Sequence, residues 1–414
     1  MTMKNILKEE LELISLSRGE VSSLQKVAKD FIASLKNKGI KAYVGGSLAK
    51  GTLVRKKGKQ DIDIFVVFDF SEDILKLESI LKKIKLPGKL KKVHGSRDYF
   101  QIVCDSVLLE VIPVVKNRDP ELAENVTDVS LSHVNYIGGV VKKNLKIADE
   151  IKLAKAFCRA QRCYGAESYV KGFSGYSLEV LVIYFGGFVK FLKGISKVRI
   201  IDPLKYFKSE REILSELNAS KLVGPVVLID PTYKYRNVTA GLGEETFVKF
   251  NMVAKEFLKS PSLMYFEQQP IDIEGMKNFA IEKKAKFVEI DLKTDRQEGD
   301  IAGTKMKRFL DFFISELARK QQIVLKKEFD YSGEGQVARG YLVVVENPEI
   351  ELRGPPMGLD DAVEAFMKIK GKNVFKKKGY FWYKEKSGVA EVFKLVKKVE
   401  KEMGASGKLI IRPS

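Results

Sequence analysis

The sequence predicts an α+β protein made of three parts. Three observations carry this prediction: strand-like apolar runs around a Gly-Gly turn early in the chain, helical periodicity from Ile147, and a βαββαβ order after Ile271. The predicted domains are residues 1–140, 141–270 and 271–414. With 414 residues, of which 45 % are hydrophobic and 10 % aromatic, the chain is long enough to bury several cores.

The first domain is predicted to hold a mixed sheet with helices. A helix is predicted from Glu20 to Lys36 and another from Ser71 to Ile84, because apolar residues recur there at helical spacing. Strands are predicted at residues 40–44, from Asp61 onward, and at 99–104 and 107–114, the last two joined by a turn at Asp105-Ser106.

Three acidic residues lie inside the strand-like runs of this domain. Asp61 and Asp63 are two residues apart, so they point to the same face of a strand, and Glu110 lies on a later strand. A carboxylate in an apolar run is costly to bury unless a partner offsets its charge. Oxygen ligands of this kind suit Mg²⁺, and we therefore expect the three acids to bind that ion.

A glycine-rich turn comes shortly before the Asp-x-Asp strand. Gly45 and Gly46 follow a strand, and Ser47 is expected to cap the helix that begins there. Exposed backbone N–H groups at such a turn can hold phosphate oxygens, and Lys50 adds a positive charge one turn on. The glycines match neither the dinucleotide-binding nor the P-loop pattern, so neither a dinucleotide-binding fold nor a P-loop NTPase is supported.

The charge of the chain points to a polyanionic partner. Lys and Arg number 73 against 54 Asp and Glu, a formal net charge of +19, which favours nucleic acid. No apolar run reaches the roughly 20 residues that a bilayer span needs, and no signal peptide is expected. Cys104, Cys158 and Cys163 form no Cys-x-x-Cys pair and are expected to be free thiols in a reducing, cytoplasmic setting.

The middle and last parts of the chain differ in character. Helices are predicted over 147–161, after Ser174 or Ser177 as cap, and over 244–258. The last part is predicted as a ferredoxin-like RNA-binding domain with a short basic tail. Its six elements are a strand at 286–292, a helix at 305–320, strands at 323–328 and 337–345, a helix at 360–370 and a strand at 373–383.

The early motifs resemble the polymerase β nucleotidyltransferase superfamily, in which Gly-Gly-Ser precedes Asp-x-Asp on a strand and a third acid follows. Further motifs narrow the resemblance to the class I, archaeal-type CCA-adding enzymes, over about residues 20–270. These motifs are Ala154-Lys155-Ala156-Phe157, Tyr164-Gly165-Ala166-Glu167, Gly172-Phe173-Ser174-Gly175-Tyr176, Asp230-Pro231, Arg236-Asn237-Val238 and Lys259-Ser260-Pro261-Ser262-Leu263.

The resemblance implies template-independent addition of C, C and A to the 3′ end of tRNA from CTP and ATP. It implies that Asp61, Asp63 and Glu110 bind two Mg²⁺ ions and carry the catalysis, and that the enzyme contacts the acceptor and T-arm half of tRNA. It also implies a set of nucleotide-binding residues, with Arg236 facing the base: Gly46, Ser47, Lys50, Ser130, His133, Lys155, Tyr164 and Arg236. A homodimer is left open.

Other interpretations stay open beside this one. Lys155 is otherwise a solvated helix charge, Tyr164 a packing residue, His133 a loop histidine, and Arg236 a salt-bridge partner of Asp230. The order of acids here is Asp, Asp, Glu, whereas the family pattern is Glu, Asp, Asp. The alternative functions are a poly(A) or oligonucleotide polymerase of the same superfamily and a catalytically weak RNA-binding relative.

Overall fold

The computed structural model describes residues 2–56, 58–95, 97–116, 125–295 and 297–412. The chain forms two compact units. One contains the residues up to 166 together with 170–269, and the other contains 167–169 and the residues from 270 onward. The division of the first unit into two domains near residue 140 stays a prediction.

A five-stranded mixed sheet with helices forms the N-terminal part of the first unit. Its strands are β1 (Lys41–Val44), β2 (Gln60–Phe68), β3 (Lys89–Val93), β4 (Tyr99–Val103) and β5 (Val107–Val115). The helices of this part are α1 (Met3–Ile14), α2 (Arg18–Lys36), α3 (Gly46–Lys50) and α4 (Leu77–Lys82). The strand order is β1-β2-β5-β4-β3, in which β2 and β5 run parallel and the other neighbours antiparallel.

The core of this part lies between the sheet and its helices. Ile62, Ile64 and Val66 alternate along β2 on the buried face and are fully buried, and they pack in one cluster with Phe31 of α2. The alternation leaves Asp61 and Asp63 on the opposite face, as the sequence predicts. The predicted helix from Ser71 is shorter than expected, since residues 71–76 form a 3₁₀ helix before α4 begins.

The rest of the first unit is mainly helical. Its helices are α5 (Ser130–Lys143), α6 (Lys146–Ala160), α7 (Gly175–Phe185), α8 (Phe188–Gly194), α9 (Glu210–Glu216) and α10 (Glu244–Lys259). Three short strands accompany them, β6 (Ile200–Ile201), β7 (Val227–Asp230) and β8 (Tyr233–Asn237), in the order β6-β7-β8. The Ser174 hydroxyl caps α7 by accepting a hydrogen bond from the Ser177 N–H at 3.0 Å, one of the two predicted caps.

The second unit contains a four-stranded and a three-stranded sheet. Its strands are β9 (Lys286–Lys293), β10 (Ile323–Asp330), β11 (Val337–Val345), β12 (Glu349–Pro356), β13 (Val374–Lys377), β14 (Tyr380–Lys386) and β15 (Ser406–Arg412). Its helices are α11 (Ile273–Glu282), α12 (Gly299–Arg319), α13 (Asp360–Lys370), α14 (Val389–Lys397) and α15 (Glu400–Met403). The sheet orders are β10-β11-β9-β15 and β12-β14-β13.

The ferredoxin-like order is present, but its second half is not where the sequence placed it. The all-antiparallel sheet β10-β11-β9-β15 is completed by α14 and β15, and β12, α13, β13 and β14 form a separate sheet and helix inserted before them. The predicted single strand over 373–383 is a hairpin. The prediction of a short basic tail is also wrong, because the segment after residue 383 is folded. Lys384 lies in β14, and α14 packs Val392 and Phe393 into the core. Long-range strand pairing, which the local pattern does not encode, causes these differences.

The cysteines and the aromatic residues of β14 differ in how far they are buried. Cys158 and Cys163 are free and fully buried, and Cys104 is free and partly exposed. The four aromatic residues of β14 are half-buried, and a cation lies over each ring. The pairs are Arg353 over Tyr380 at 4.5 Å, Lys376 over Phe381 at 5.4 Å, Lys377 over Trp382 at 5.3 Å and Lys370 over Tyr383 at 4.2 Å. Among the described residues, the structure has no helix with the length and apolarity to cross a bilayer.

Candidate active site on the mixed sheet

The three acids lie on one face of the mixed sheet, on two neighbouring strands. Asp63 of β2 is the direct register partner of Glu110 of β5, and Asp61 lies two residues earlier on the same face of β2. Parallel pairing of these two strands was not determined by the sequence. This pairing places the carboxylates of Asp63 and Glu110 on neighbouring strands, as a shared cation site requires.

The electrostatics of these acids show crowding of negative charge. Burial raises the pKa of Asp63, and Asp61 adds to the rise while Lys50 opposes it. Burial and the neighbouring Asp63 raise the pKa of Glu110 to about 7. Each of these changes favours the protonated acid, so a cation near the pair would restore both carboxylates to their charged form.

The side chains of the acids have protein partners. Asp61 forms an ion pair with Lys56, and Glu110 Oε1 accepts a hydrogen bond from the Gln101 amide at 2.9 Å. Within the described ranges, no three His, Cys, Asp or Glu side chains converge as a ready metal cluster. The three acids nevertheless fit a hard divalent cation as ligands. They supply carboxylate oxygens on one face of the sheet, and the neighbouring lysines do not offset all of their negative charge.

The glycine turn presses against the central acid. The Gly45 N–H donates to the Asp63 carbonyl at 2.7 Å, and a Cβ added at Gly46 would overlap the Asp63 carboxylate. Gly46 also has φ +55°, a conformation that favours glycine. The cap of α3 is Gly45, so the predicted capping role of Ser47 is wrong; Ser47 is the second residue of the helix.

Lys50 and Lys155 meet at one buried carboxylate. Lys50 Nζ lies 2.6 Å from Glu179 Oε2, and Lys155 Nζ lies 2.7 Å from Glu179 Oε1. Thr52 joins them, because its hydroxyl donates to Glu179 Oε1 at 2.7 Å. Burial would raise the pKa of Glu179, but Lys155 and Lys50 outweigh it and hold that pKa at about 2. Lys155 is only 3 % exposed, so its interpretation as a solvated helix charge is wrong.

Arg236 and His133 belong to a second buried cluster, centred on Asp230. Asp230 is fully buried and accepts hydrogen bonds from Arg236 Nη1 at 2.8 Å and from the Tyr176 hydroxyl at 2.8 Å. His133 Nε2 lies 3.1 Å from the same carboxylate, and its ring stacks on Tyr176 with centroids 3.8 Å apart. Burial lowers the pKa of His133, although Asp230 opposes this effect. Arg236 is therefore an ion-pair partner of Asp230, and one end of its guanidinium is fixed.

The two remaining predicted residues lie outside these clusters. Ser130 is the first residue of α5, one turn before His133, and is half-buried. The preceding Asp128 is anchored by Arg97 and accepts a hydrogen bond from the Val115 N–H at 2.8 Å, which ties the start of α5 to the end of β5. Tyr164 lies beside α6, and the Arg159 guanidinium is 4.6 Å above its ring.

The sequence did not lead us to Glu179 or Thr52 as site residues, and it indicated Asp230 only as part of a motif and as a salt-bridge partner of Arg236. A signal existed for Glu179, because it is a single acid in the otherwise apolar helix Gly175–Phe185. No local signal marks Thr52, whose partners lie more than a hundred residues away along the chain.

The fold and this site define a nucleotidyltransferase. Family models support this: residues 24–117 match a nucleotidyltransferase domain, and residues 149–267 match the second domain of tRNA nucleotidyltransferase. The CCA-adding enzyme of Nanoarchaeum equitans is 33 % identical over 360 residues, which is 83 % of this chain and 85 % of that protein. The CCA-adding enzyme of Methanocaldococcus jannaschii is 28 % identical over 415 residues, covering 95 % and 90 %. The chain belongs to the family of archaeal CCA-adding enzymes.

Solved structures confirm the fold of the nucleotidyltransferase part. A cytoplasmic RNA terminal U-transferase aligns with a TM-score of 0.51 at 13 % identity, covering 65 % of this chain and 99 % of the other. The Cid1 poly(U) polymerase bound to MgATP aligns with a TM-score of 0.50 at 13 % identity, covering 64 % and 98 %. At this identity the similarity concerns the fold alone.

Proposed function

We propose that this protein adds C, C and A to the 3′ end of tRNA without a nucleic-acid template, using CTP and ATP. The observation that carries the proposal is the placement of Asp63 opposite Glu110, with Asp61 on the same face and the Gly45-Gly46 turn against Asp63. Membership of the CCA-adding family supplies the reaction class, and the net charge of +19 suits a tRNA substrate.

Asp61, Asp63 and Glu110 are the residues that would hold the divalent cations, which we take to be two Mg²⁺ ions. Such ions stabilise charge on the transferring phosphoryl group and on the leaving pyrophosphate. The chain's own residues then position the substrates. Glu110 is proposed as the acceptor for the proton of the attacking 3′-hydroxyl, because it is the carboxylate on the strand opposite Asp63.

Ser47 and Lys50 are proposed to hold the triphosphate, together with Gly46, Tyr164, Ser130 and His133. Lys155, whose ammonium is buried against Glu179, is proposed to support Lys50 there without contacting the phosphates itself. Arg236 is proposed to select the base. Its guanidinium has donors only, so it can donate to the ring nitrogen N3 of C or N1 of A, whereas the same ring positions of U and G carry N–H donors. The ion pair with Asp230 supports this role, because a guanidinium fixed at Nη1 presents its other N–H groups in a defined direction.

The deciding experiment uses the purified chain, Mg²⁺, a tRNA transcript that lacks its terminal CCA, and labelled CTP or ATP. Stepwise addition of C, C and A supports the proposal. Extension of any RNA with ATP and without use of CTP would instead show a poly(A) or oligonucleotide polymerase. Binding of tRNA without any extension would show a catalytically weak RNA-binding relative. Contact with the acceptor and T-arm half of tRNA can be tested with a minihelix of that half. A homodimer and a cytoplasmic location stay predictions.

A further inference from the structure

Glu179 is the least expected charged residue of the first unit. It lies in α7, whose sequence Gly-Tyr-Ser-Leu-Glu-Val-Leu-Val-Ile-Tyr-Phe is otherwise apolar or small, and its side chain is fully buried. Burial of a carboxylate is costly unless charged partners compensate it. The reaction proposed above gives this residue no task, so its position needs another explanation.

The partners of Glu179 come from two distant parts of the chain. Lys50 and Thr52 belong to the segment after the glycine turn, and Lys155 belongs to α6. Two ammonium groups face one carboxylate, which leaves the cluster with one net positive charge. That surplus is suited to an anion.

The two lysines differ in how many N–H groups the protein already uses. Lys155 Nζ donates to Glu179 Oε1 at 2.7 Å, to the Thr52 hydroxyl at 2.9 Å and to the Thr52 carbonyl at 3.3 Å, which accounts for its three N–H groups. Among the hydrogen bonds of the described residues, Lys50 Nζ donates to Glu179 Oε2 at 2.6 Å, which leaves two N–H groups. Lys50 also retains 10 % exposure of its side chain.

Lys50 lies on the side of the cluster that faces the acids. Its charge opposes the rise in the pKa of Asp63 that burial causes, and it is the last residue of α3, which begins at the turn against Asp63. An ammonium held between Glu179 and the Asp63 region has its unused N–H groups close to the place proposed for the triphosphate.

We propose that Glu179 is a positioning residue that holds the Lys50 ammonium in place for the triphosphate, while Lys155 supplies the counter-charge that keeps Glu179 ionised. The inference rests on the proposed function and assigns a residue of α7 to its phosphate site. Loss of the carboxylate leaves two ammonium groups side by side without an anion between them. Lys50 then loses its anchor, and triphosphate binding weakens.

The test compares Glu179→Gln, Glu179→Asp and Lys50→Met with wild type, using inorganic tripolyphosphate as a probe that lacks base and sugar. We expect Glu179→Gln to weaken tripolyphosphate binding and to raise KM for CTP and ATP by about tenfold, with kcat within about threefold. Glu179→Asp keeps the negative charge, so its tripolyphosphate affinity and KM values should lie between those of Glu179→Gln and wild type. Glu150→Gln is the matched control, since Glu150 accepts a hydrogen bond from the Phe188 N–H at 2.7 Å and contacts neither lysine; its constants should equal those of wild type.

A double-mutant cycle separates positioning from simple destabilisation. If Glu179 acts through Lys50, the double variant Lys50→Met/Glu179→Gln binds tripolyphosphate no more weakly than Lys50→Met alone. Additive losses, or a folded Glu179→Gln that binds within about twofold of wild type, would overturn the proposal. If Glu179→Gln does not fold, Glu179→Asp decides, because unchanged tripolyphosphate binding in that variant also overturns it. Failure of wild type to extend tRNA would refute the proposed function separately, since tripolyphosphate binding is measured without tRNA.

Discussion

Glu10 is a buried carboxyl group whose ionisation should cost stability at neutral pH. It lies on α1, is 5 % exposed, and belongs to the helix face that packs against α6. Burial, with a smaller contribution from Glu267, raises its pKa from 4.5 to about 7. We predict that Glu10→Gln stabilises the protein at alkaline pH and has little effect at acidic pH.

The sign follows from linkage. A carboxyl group whose pKa is higher in the folded state costs nothing below its unfolded pKa near 4.5, and the cost grows as pH rises to about 7 and then levels off. The difference between the two pKa values, at about 1.4 kcal/mol for each unit, corresponds to an upper limit of about 3.5 kcal/mol. Because relaxation and water penetration reduce the cost of burying a charge, and salt screens the exposed Glu267, we expect a gain of about 1 to 2 kcal/mol.

The assay is urea unfolding of wild type and Glu10→Gln at about pH 5 and about pH 8, where linkage places most of the difference. The gain should be small at the lower pH and near its full value at the higher one. Glu9→Gln is the matched control, since Glu9 is exposed on the same helix and its removal should change stability equally little at both. An equal gain for Glu10→Gln at both pH values would refute the reasoning.

Three further predictions concern the site. Asp61→Asn and Asp63→Asn should each abolish tRNA extension and leave tRNA affinity within about twofold of wild type, because cation binding needs the carboxylate charges and RNA binding does not. Substantial activity in either variant would contradict the two-metal assignment. Gly46→Ala should reduce tRNA extension by at least about a hundredfold, because an added Cβ overlaps the Asp63 carboxylate and Gly46 has φ +55°. Gly138→Ala is the control: an added Cβ there meets no other atom, so extension should be unchanged. Equal activities of the two variants would refute the steric argument. Arg236→Ala should relax selection of CTP and ATP over UTP and GTP by about tenfold or more, measured as ratios of kcat/KM; unchanged ratios count against its role.

The local parts of the site followed from the sequence. The side-chain alternation of a strand places Asp61 and Asp63 on one face, and the Gly-Gly turn before them appears where it was expected. Helix positions also agreed closely: the predicted helix 244–258 is observed as Glu244–Lys259. Such features depend on neighbours within a few residues, so their pattern is written directly in the chain.

The pairings between distant segments did not follow from it. The local pattern of β2 does not name β5 as its parallel partner, yet that register sets Glu110 opposite Asp63. Similarly, β15 completes the second unit's four-stranded sheet although the hairpin of β13 and β14 is nearer to β9 in sequence. Several apolar strands can compete for one sheet edge, and packing of helices such as α14 decides between them.

The sequence by itself determined the class of chemistry: three acids in strand-like runs beside a glycine turn, followed by motifs in the order typical of CCA-adding enzymes. Only the tertiary structure decided which charges meet. Lys50 and Glu179 are 129 residues apart. Their contact is favourable only where the attraction between the two charges offsets the cost of removing both from water, and that balance depends on burial and distance in three dimensions. A single acid in an apolar helix thus indicates that a partner exists, and the fold identifies its partners as Lys155 and Lys50, of which Lys50 is proposed to bind phosphate.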